Sequence, residues 1–499
     1  MSTHPPLVAL RSGPGSALVA ASVLASMVAF LDASVVTVGV PAIGRELGAG
    51  VAALQWTLTG YLLTAAGLLL VAGALADRYG RRRVLVVGLV VMLVASVACA
   101  VAPSIGVLVA ARVVQGVGAA LVVPSSLALL NGALRVRDRA PGIGVWAGLA
   151  SLGSLVGPFV GGWLVDDVSW RAVFLLNVPL IGAALLALAR VPESMRGHGA
   201  LSLDGAGALL AVVGLAGLID GLTTGPTEGW TSPRVVIGLV LGAVCLVALL
   251  PVERRVRAPM LQLSLFASRQ FSAINAATVV YYGALAAAGY LVVLWCQFAL
   301  GYSAAGAGAV LIPSSVVFLA LSPFSGALAR RTGPRWPMTA GILATGAGFA
   351  WLGAAGPGSY AETVLPGALL WGVGLGLTVT PLTAAVLAAV DDEDLGEASA
   401  ISDVAARLGG AVLVALVPAL IGLRAGGDLA AAVVDGYRPA MLVLAALCGV
   451  AALISAVLVS DARPGERATA LPRFAPLAPC QGCALPDPVA GTVRATTRS

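Results

Sequence analysis

The chain has 499 residues, of which 59% are hydrophobic and 10% charged, with a formal net charge of +6. Soluble globular chains carry about 25% charged residues, so this composition excludes an ordinary water-soluble domain. All 29 basic residues are arginine, which removes the phosphate-binding lysine of a Walker A loop and the Schiff-base lysine of a pyridoxal enzyme.

Apolar runs long enough to cross a bilayer recur from end to end. Residues 1–16 lack the charged start and short apolar core of a cleaved signal and are expected to form a tail. Expected spans follow at 17–43, 53–75, 84–102, 106–131, 142–164, 172–190, 204–221, 235–251, 271–298, 304–329, 337–356, 362–388, 398–423 and 439–460. The fold expected from them is all-α and membrane-embedded, with fourteen transmembrane helices. Residues 461–499 are Pro-rich and expected to be disordered.

An N-terminus in the cytoplasm puts sixteen short-loop arginines inside, from Arg78 to Arg335, against five outside: Arg45, Arg171, Arg234, Arg424 and Arg438. This is the positive-inside bias, with both termini cytoplasmic. The arginine-only, Ala/Gly/Val-rich composition points to a GC-rich bacterial gene.

An internal repeat divides the chain. Gly73-Ala-Leu-Ala-Asp-Arg-Tyr-Gly-Arg81 recurs as Gly326-Ala-Leu-Ala-Arg-Arg-Thr-Gly-Pro334, and Gly116-Val-Gly118 with Pro124 is echoed by Gly372-Val-Gly374 with Pro381. The offset corresponds to about eight helices rather than six, so two inserted helices separate two parallel bundles. The expected organisation is a six-helix bundle over 17–194, a two-helix insertion over 200–255 and a second six-helix bundle over 259–460.

In the first span, Asp32 lies near mid-membrane, where a carboxylate costs about 3 kcal/mol. It should face a cavity or a partner. Burial penalises its charged form, making it a candidate proton carrier; ionised, it would suit a cationic drug; a structural carboxylate bonded to hydroxyls is the alternative. The loop Asp77-Arg-Tyr-Gly-Arg-Arg-Arg83 combines a run of arginines, which lipid headgroups explain, with Asp77, Gly73 and Gly80. Those three imply a tight turn holding an internal charge pair with Arg81 or Arg82, able to break as the bundles rock. Arg330 replaces the acid in the second copy, a weaker latch.

Arg112 is the other costly residue, with snorkelling as its alternative; Gln115, one turn on, is placed to share its partner. The fifth span reads Gly144-x3-Gly148-x4-Gly153-x3-Gly157-Pro158-x2-Gly161-Gly162. Small residues on one face allow close backbone approach, and Pro158 removes a hydrogen bond and is expected to bend the helix. Asp204, Asp220 and Glu397 fall near helix ends and read as interfacial. Asp403 and Arg407, spaced i,i+4, form either a structural ion pair or part of a cavity lining. Cys480 and Cys483 stand as a lone CxxC, read as two idle thiols, and His4 and His198 are too few for a metal cluster, so no metal site is expected.

With these motifs in place, the sequence resembles the fourteen-helix drug:proton antiporters of the major facilitator superfamily, from about Leu31 to Asp461. Asp32 matches that family's first-helix aspartate. Gly73, Asp77, Gly80, Arg81 and Arg82 match its loop motif, and Arg112, Gln115, Gly116 and Gly118 match its fourth-helix motif, associated with proton transfer. Gly153, Gly157, Pro158, Gly161 and Gly162 match the fifth-helix motif of antiporters. Trp56, Tyr61 and Ser169-Trp-Arg-Ala-Val-Phe-Leu-Leu-Asn-Val-Pro179 are similar too. The resemblance implies a bacterial cytoplasmic-membrane efflux transporter, working as a monomer among lipids. It would exchange a small amphipathic drug or antibiotic for protons, with the proton gradient as energy source, no cofactor and no nucleic-acid partner. A proton-coupled importer or a metabolite exporter on the same fold is the alternative; the importer should lack the glycine–proline ladder. An embedded enzyme or receptor would need a catalytic constellation or an extramembrane module, and neither is visible.

Overall fold

The computed structural model describes residues 8–191, 204–256, 262–356, 358–390, 394–424 and 427–461. The expected tail beyond Asp461, the Cys480/Cys483 pair and the acids at 391–393 lie outside them. Among the described residues there are nineteen α-helices and no strand. They are α1 (Gly13–Leu47), α2 (Val51–Gly67), α3 (Leu69–Tyr79), α4 (Arg81–Ala100), α5 (Ile105–Ala133), α6 (Val136–Asp167), α7 (Trp170–Leu175), α8 (Asn177–Leu188), α9 (Gly205–Glu228) and α10 (Pro233–Arg255). There follow α11 (Arg269–Phe298), α12 (Ala304–Ala309), α13 (Ile312–Thr332), α14 (Arg335–Ala354), α15 (Tyr360–Thr363), α16 (Leu365–Ala388), α17 (Leu395–Ala415), α18 (Val417–Leu420) and α19 (Leu429–Leu458).

Local chemistry sets where these helices start. Ser12, Ser104, Ser169, Asp204, Ser232, Ser268, Ser303 and Asp428 each accept a first-turn N–H with the side chain, satisfying donors that have no partner inside the helix. Gly80, at φ 103, turns the chain between α3 and α4, and Gly333, at φ 85, does the same between α13 and α14. Both positions lie where a side chain would be strained.

Each of the fourteen expected spans falls on helix. Twelve helices or near-continuous helix pairs are long and apolar enough to cross a bilayer, and α2–α3 adds a thirteenth, bent by 53° at its break. The remaining expected span falls on α14, 20 residues rich in Gly, Ala and Thr. It packs between α16 and α19, and that shielding from lipid lets it be less apolar than its neighbours. Helix α6 runs on through Pro158 without interruption.

The repeat read from the sequence is a repeat of contacts. A Cβ at Gly116 of α5 would lie 2.4 Å from the carbonyl oxygen of Tyr61 on α2, and one at Gly118 would lie 2.9 Å from that of Gly88 on α4. In the second half, a Cβ at Gly372 of α16 would lie 2.4 Å from the carbonyl oxygen of Ser314 on α13, and one at Gly374 would lie 2.6 Å from that of Gly341 on α14. The two halves thus use the same glycines to bring the same helices together, as a duplicated six-helix unit requires. Helices α9 and α10 pair with each other between the two sets.

The buried core is shared at one end of the molecule and divided at the other. At the end bearing Gly48 and Ser169, residues of α1, α2, α4, α5 and α7 form a single cluster with residues of α11, α12, α14, α16 and α19. At the end bearing Gly80, the first set has its own cluster, including Leu18, Leu85, Leu130 and Leu188. The second set has a separate one there, including Phe271, Met338, Leu382 and Ile401. The bundles are joined at the Gly48 end and parted at the Gly80 end.

Candidate functional site

A charged residue inside a bilayer needs a partner, and Asp32 and Arg112 supply one to each other. Arg112 Nη1 of α5 donates to Asp32 Oδ2 of α1, and both side chains are 0% exposed. The other carboxylate oxygen, Oδ1, accepts from Gln115 Nε2 at 2.8 Å and from Asn177 Nδ2 at 2.7 Å. Both amides also reach Ser96 Oγ of α4, at 2.9 and 3.2 Å. Arg112 Nη1 donates to Gln115 Oε1 at 2.7 Å, and Arg112 Nε to the carbonyl of Thr57 at 2.8 Å. The guanidinium lies over the Tyr61 ring, 4.3 Å from its centroid. Two buried polar atoms of the cluster, Arg112 Nη2 and Asn177 Oδ1, have no hydrogen-bond partner. A fully wrapped ion pair of this kind is held by geometry, and removing one member leaves the other buried and uncompensated.

Snorkelling is therefore not what Arg112 does: its side chain is enclosed on every side. Asn177, Ser96 and Thr57 carried no assignment from the sequence. Asn177 opens α8, just past Leu176, where α7 gives way to it. The amide stood in the quoted 169–179 stretch, yet a neutral amide gives no energetic signal of the kind a charge gives.

The loop between α3 and α4 also pairs internally. Arg81 donates from Nε and Nη2 to Asp77 Oδ1, at 3.1 and 2.9 Å, and from Nη1 to the carbonyl of Ala128 on α5 at 2.9 Å. Arg82 Nε reaches the carbonyl of Leu188 on α8 at 3.0 Å. Each of these contacts lies within the first bundle and ties α3, α4, α5 and α8 together. Gly73 lies inside α3 with open space where a Cβ would be, so only Gly80 serves the turn.

The glycine ladder of α6 divides in two. A Cβ at Gly153 would lie 2.5 Å from the carbonyl oxygen of Met27, one at Gly157 would lie 2.4 Å from Ser34 Oγ, and one at Gly161 would lie 2.2 Å from Val35 Cγ2. This row holds α6 against α1. Gly162 faces the other bundle, where a Cβ would lie 2.3 Å from the carbonyl oxygen of Ala304, and Gly308 of α12 is as close to the carbonyl oxygen of Pro158. Gly144 and Gly148, by contrast, have nothing within 4 Å of the position a Cβ would take. Asp166 adds polar contacts at the joined end, accepting from the N–H groups of Ala304 and Ala305 at 3.0 and 2.8 Å.

On α17, Arg407 Nε donates to Asp403 Oδ2 at 3.0 Å, with the Asp403 side chain 44% exposed. Of the residues read as interfacial, Asp204 is buried and caps α9 through Gly207 N at 2.7 Å. Asp220 accepts from Trp56 Nε1 of α2 at 3.2 Å and from Arg234 Nη2 at 3.0 Å, which fastens the inserted pair to the first bundle.

Comparison with known proteins identifies the family. The profile described as Major Facilitator Superfamily matches residues 22–412 and again 273–490. The chain is 36% identical over 385 residues to the multidrug resistance protein Stp of Mycobacterium tuberculosis, covering 77% of this chain and 71% of that one. It is 33% identical to the puromycin resistance protein of Streptomyces alboniger, covering 87% and 88%. Among solved structures, a peptide transporter in complex with sulfate superposes with a TM-score of 0.66 at 16% identity, covering 91% of this chain and 98% of that one. That likeness concerns the fold.

Proposed function

The chain belongs to the Major Facilitator Superfamily, a multi-pass membrane transporter rather than an enzyme, and we propose that it exports small amphipathic drugs or antibiotics in exchange for protons. One observation carries the reading: a carboxylate, Asp32, buried in the membrane core with Arg112, Gln115 and Asn177 donating to it. Such a group has two discrete states. Ionised, Asp32 balances the charge of Arg112, its partner in the ion pair. A proton on Asp32 removes the charge that Arg112 balances, and the guanidinium, with Nη2 already lacking a partner, must find other acceptors. In this proposal cargo favours the ionised cluster, so cargo and proton bias one equilibrium in opposite directions, which is reciprocal coupling.

The names of the relatives, multidrug resistance and puromycin resistance, support drug efflux over nutrient import. The arginine distribution supports a bacterial cytoplasmic membrane location with both termini inside, and the parted Gly80 end then opens to the cytoplasm. One chain forms the whole pathway, with no cofactor. A proton moving down 100 mV supplies about 2.3 kcal/mol, and a tenfold gradient costs about 1.4, so one proton sustains roughly a fiftyfold gradient of neutral cargo.

The test is accumulation of a panel of fluorescent dyes in cells, with and without an uncoupler, for the wild type and Asp32→Asn. The expected result is dye exclusion that the uncoupler abolishes and that the variant lacks despite normal membrane insertion. Undiminished exclusion in Asp32→Asn removes that residue from the mechanism.

A further inference from the structure

At the joined end, side chains of one bundle reach the backbone of the other. Gln55 of α2 is 1% exposed, and its Nε2 donates to the carbonyl of Val414 on α17 at 3.2 Å. The sequence makes that carbonyl available. Its helical partner would be the N–H four residues on, and residue 418 is proline, which has none. Helix α17 accordingly stops at Ala415, and α18 starts at Val417. Gln297 of α11 crosses in the opposite sense, donating from Nε2 to the carbonyl of Val38 on α1 at 3.3 Å. Losing one amide should therefore shift closure of the Gly48 end rather than abolish it. The Gln55 contact is also readily released. Its Oε1 is buried without a hydrogen-bond partner among the described residues, a cost that exposure to water would relieve.

The same stretch of α2 seats the guanidinium of the buried ion pair. Two residues beyond Gln55, the carbonyl of Thr57 accepts from Arg112 Nε, and one turn further the Tyr61 ring lies beneath the cation. Threonine hydroxyls tie this stretch to itself: Thr57 Oγ1 donates to the carbonyl of Leu54 at 2.6 Å, and Thr59 Oγ1 to that of Gln55 at 2.9 Å. Gly116 lets α5 back directly onto the Tyr61 carbonyl. Arg112 thus stands between Asp32 and the part of α2 that reaches the second bundle.

We propose that Gln55 is a positioning residue through which the charge of Asp32 governs closure of the Gly48 end. The inference deepens the exchange reading above and rests on it. While Asp32 is ionised, it draws Arg112 toward α1, and α2 only shares the guanidinium. A proton on Asp32 removes that pull, so Arg112 settles on the acceptors of α2, the Thr57 carbonyl and the Tyr61 ring. Seating α2 in this way holds Gln55 against Val414. Exchange fixes the sign. A chain that has released cargo outside and taken up a proton must close its outer end to carry the proton inward. Asp32 and the Gln55 amide then bias one two-state element, the clasped or unclasped end, which is what coupling between them requires.

The experiment uses the full chain in lipid nanodiscs without cargo, with ketone-directed spin labels at Gly50, before α2, and Arg424, beyond α18, both exposed. Gln55→Leu should raise the ratio of open to closed distances roughly threefold or more, the loss of one hydrogen bond. Pro418→Ala, which returns an N–H to the Val414 carbonyl, should do the same and serves if the first variant folds poorly. Asp32→Asn, a neutral stand-in for the protonated acid, should lower the ratio roughly fivefold or more. In the Gln55→Leu chain, the same change at Asp32 should leave the ratio within about twofold. A ratio unmoved by Gln55→Leu and Pro418→Ala, or an equal response to Asp32→Asn with and without Gln55, overturns the proposal. A wild type that moves no dye under an imposed acid gradient refutes the exchange reading instead, a result on which the distances do not depend.

Discussion

The guanidinium of Arg112 rests 4.3 Å above the ring of Tyr61, whose hydroxyl donates to the backbone carbonyl of Ala29 at 2.8 Å. One aromatic side chain of α2 thereby supports the cation of α5 and fixes its distance from α1, the helix that carries Asp32. The face of the ring and the hydroxyl do separate work, and substitution separates them. Tyr61→Phe keeps the face and should retain most transport. Tyr61→Leu loses a cation–π contact of about 0.5–2 kcal/mol, and initial rates of dye export are expected to fall roughly two- to thirtyfold. Equal rates in the two variants would contradict a supporting role for the ring.

Asn177 is expected to matter nearly as much as Gln115. A hydrogen bond to a charged group contributes about 1.5–3 kcal/mol, so Asn177→Ala should cut export by an order of magnitude or more without lowering the amount of protein in the membrane. Rates within twofold of wild type would mean that Asn177 only packs.

The two parts of the glycine ladder should respond differently to an added side chain. Gly157→Leu and Gly161→Ala push into Ser34 and Val35 and should disable export through loss of α1–α6 contact, visible as a lower melting temperature in detergent. Gly144→Ala meets open space and removes a flexible residue from a helix, so its stability should be unchanged or higher by up to about 1 kcal/mol.

Asp166 is a helix cap supplied by the other bundle. Removing a cap costs about 1 kcal/mol, so Asp166→Ala should shift the equilibrium about fivefold toward opening of the Gly48 end. Distances between spin labels near Val168 and Ala305 would report it. Asp166→Asn, keeping one acceptor, should lie between the two.

The acid and the arginine of the site were legible because charge inside an apolar run is expensive and therefore conspicuous. Gln115 was found by its spacing of three residues from Arg112. Asn177 and Ser96 were not, since neutral polar groups cost little and only folding brings their separate helices to Asp32. The break at Leu68 follows Gly67, but a single glycine inside an apolar run is common in membrane helices and does not by itself announce a break. The glycine pattern of α6 is uniform in sequence, whereas its use depends on which neighbour each turn meets. Gly73 was read with Gly80 as part of one turn, but six residues of helix separate them.

The side chains that donate to Asp32, from Arg112, Gln115 and Asn177, all belong to the first bundle, although the second repeats its glycine contacts closely. The duplication copied the framework and left the chemistry on one side. A chimaera joining this N-terminal half to the C-terminal half of a relative should keep its dependence on the acid gradient while inheriting a different resistance spectrum, so that motor and selectivity can be exchanged as separate parts.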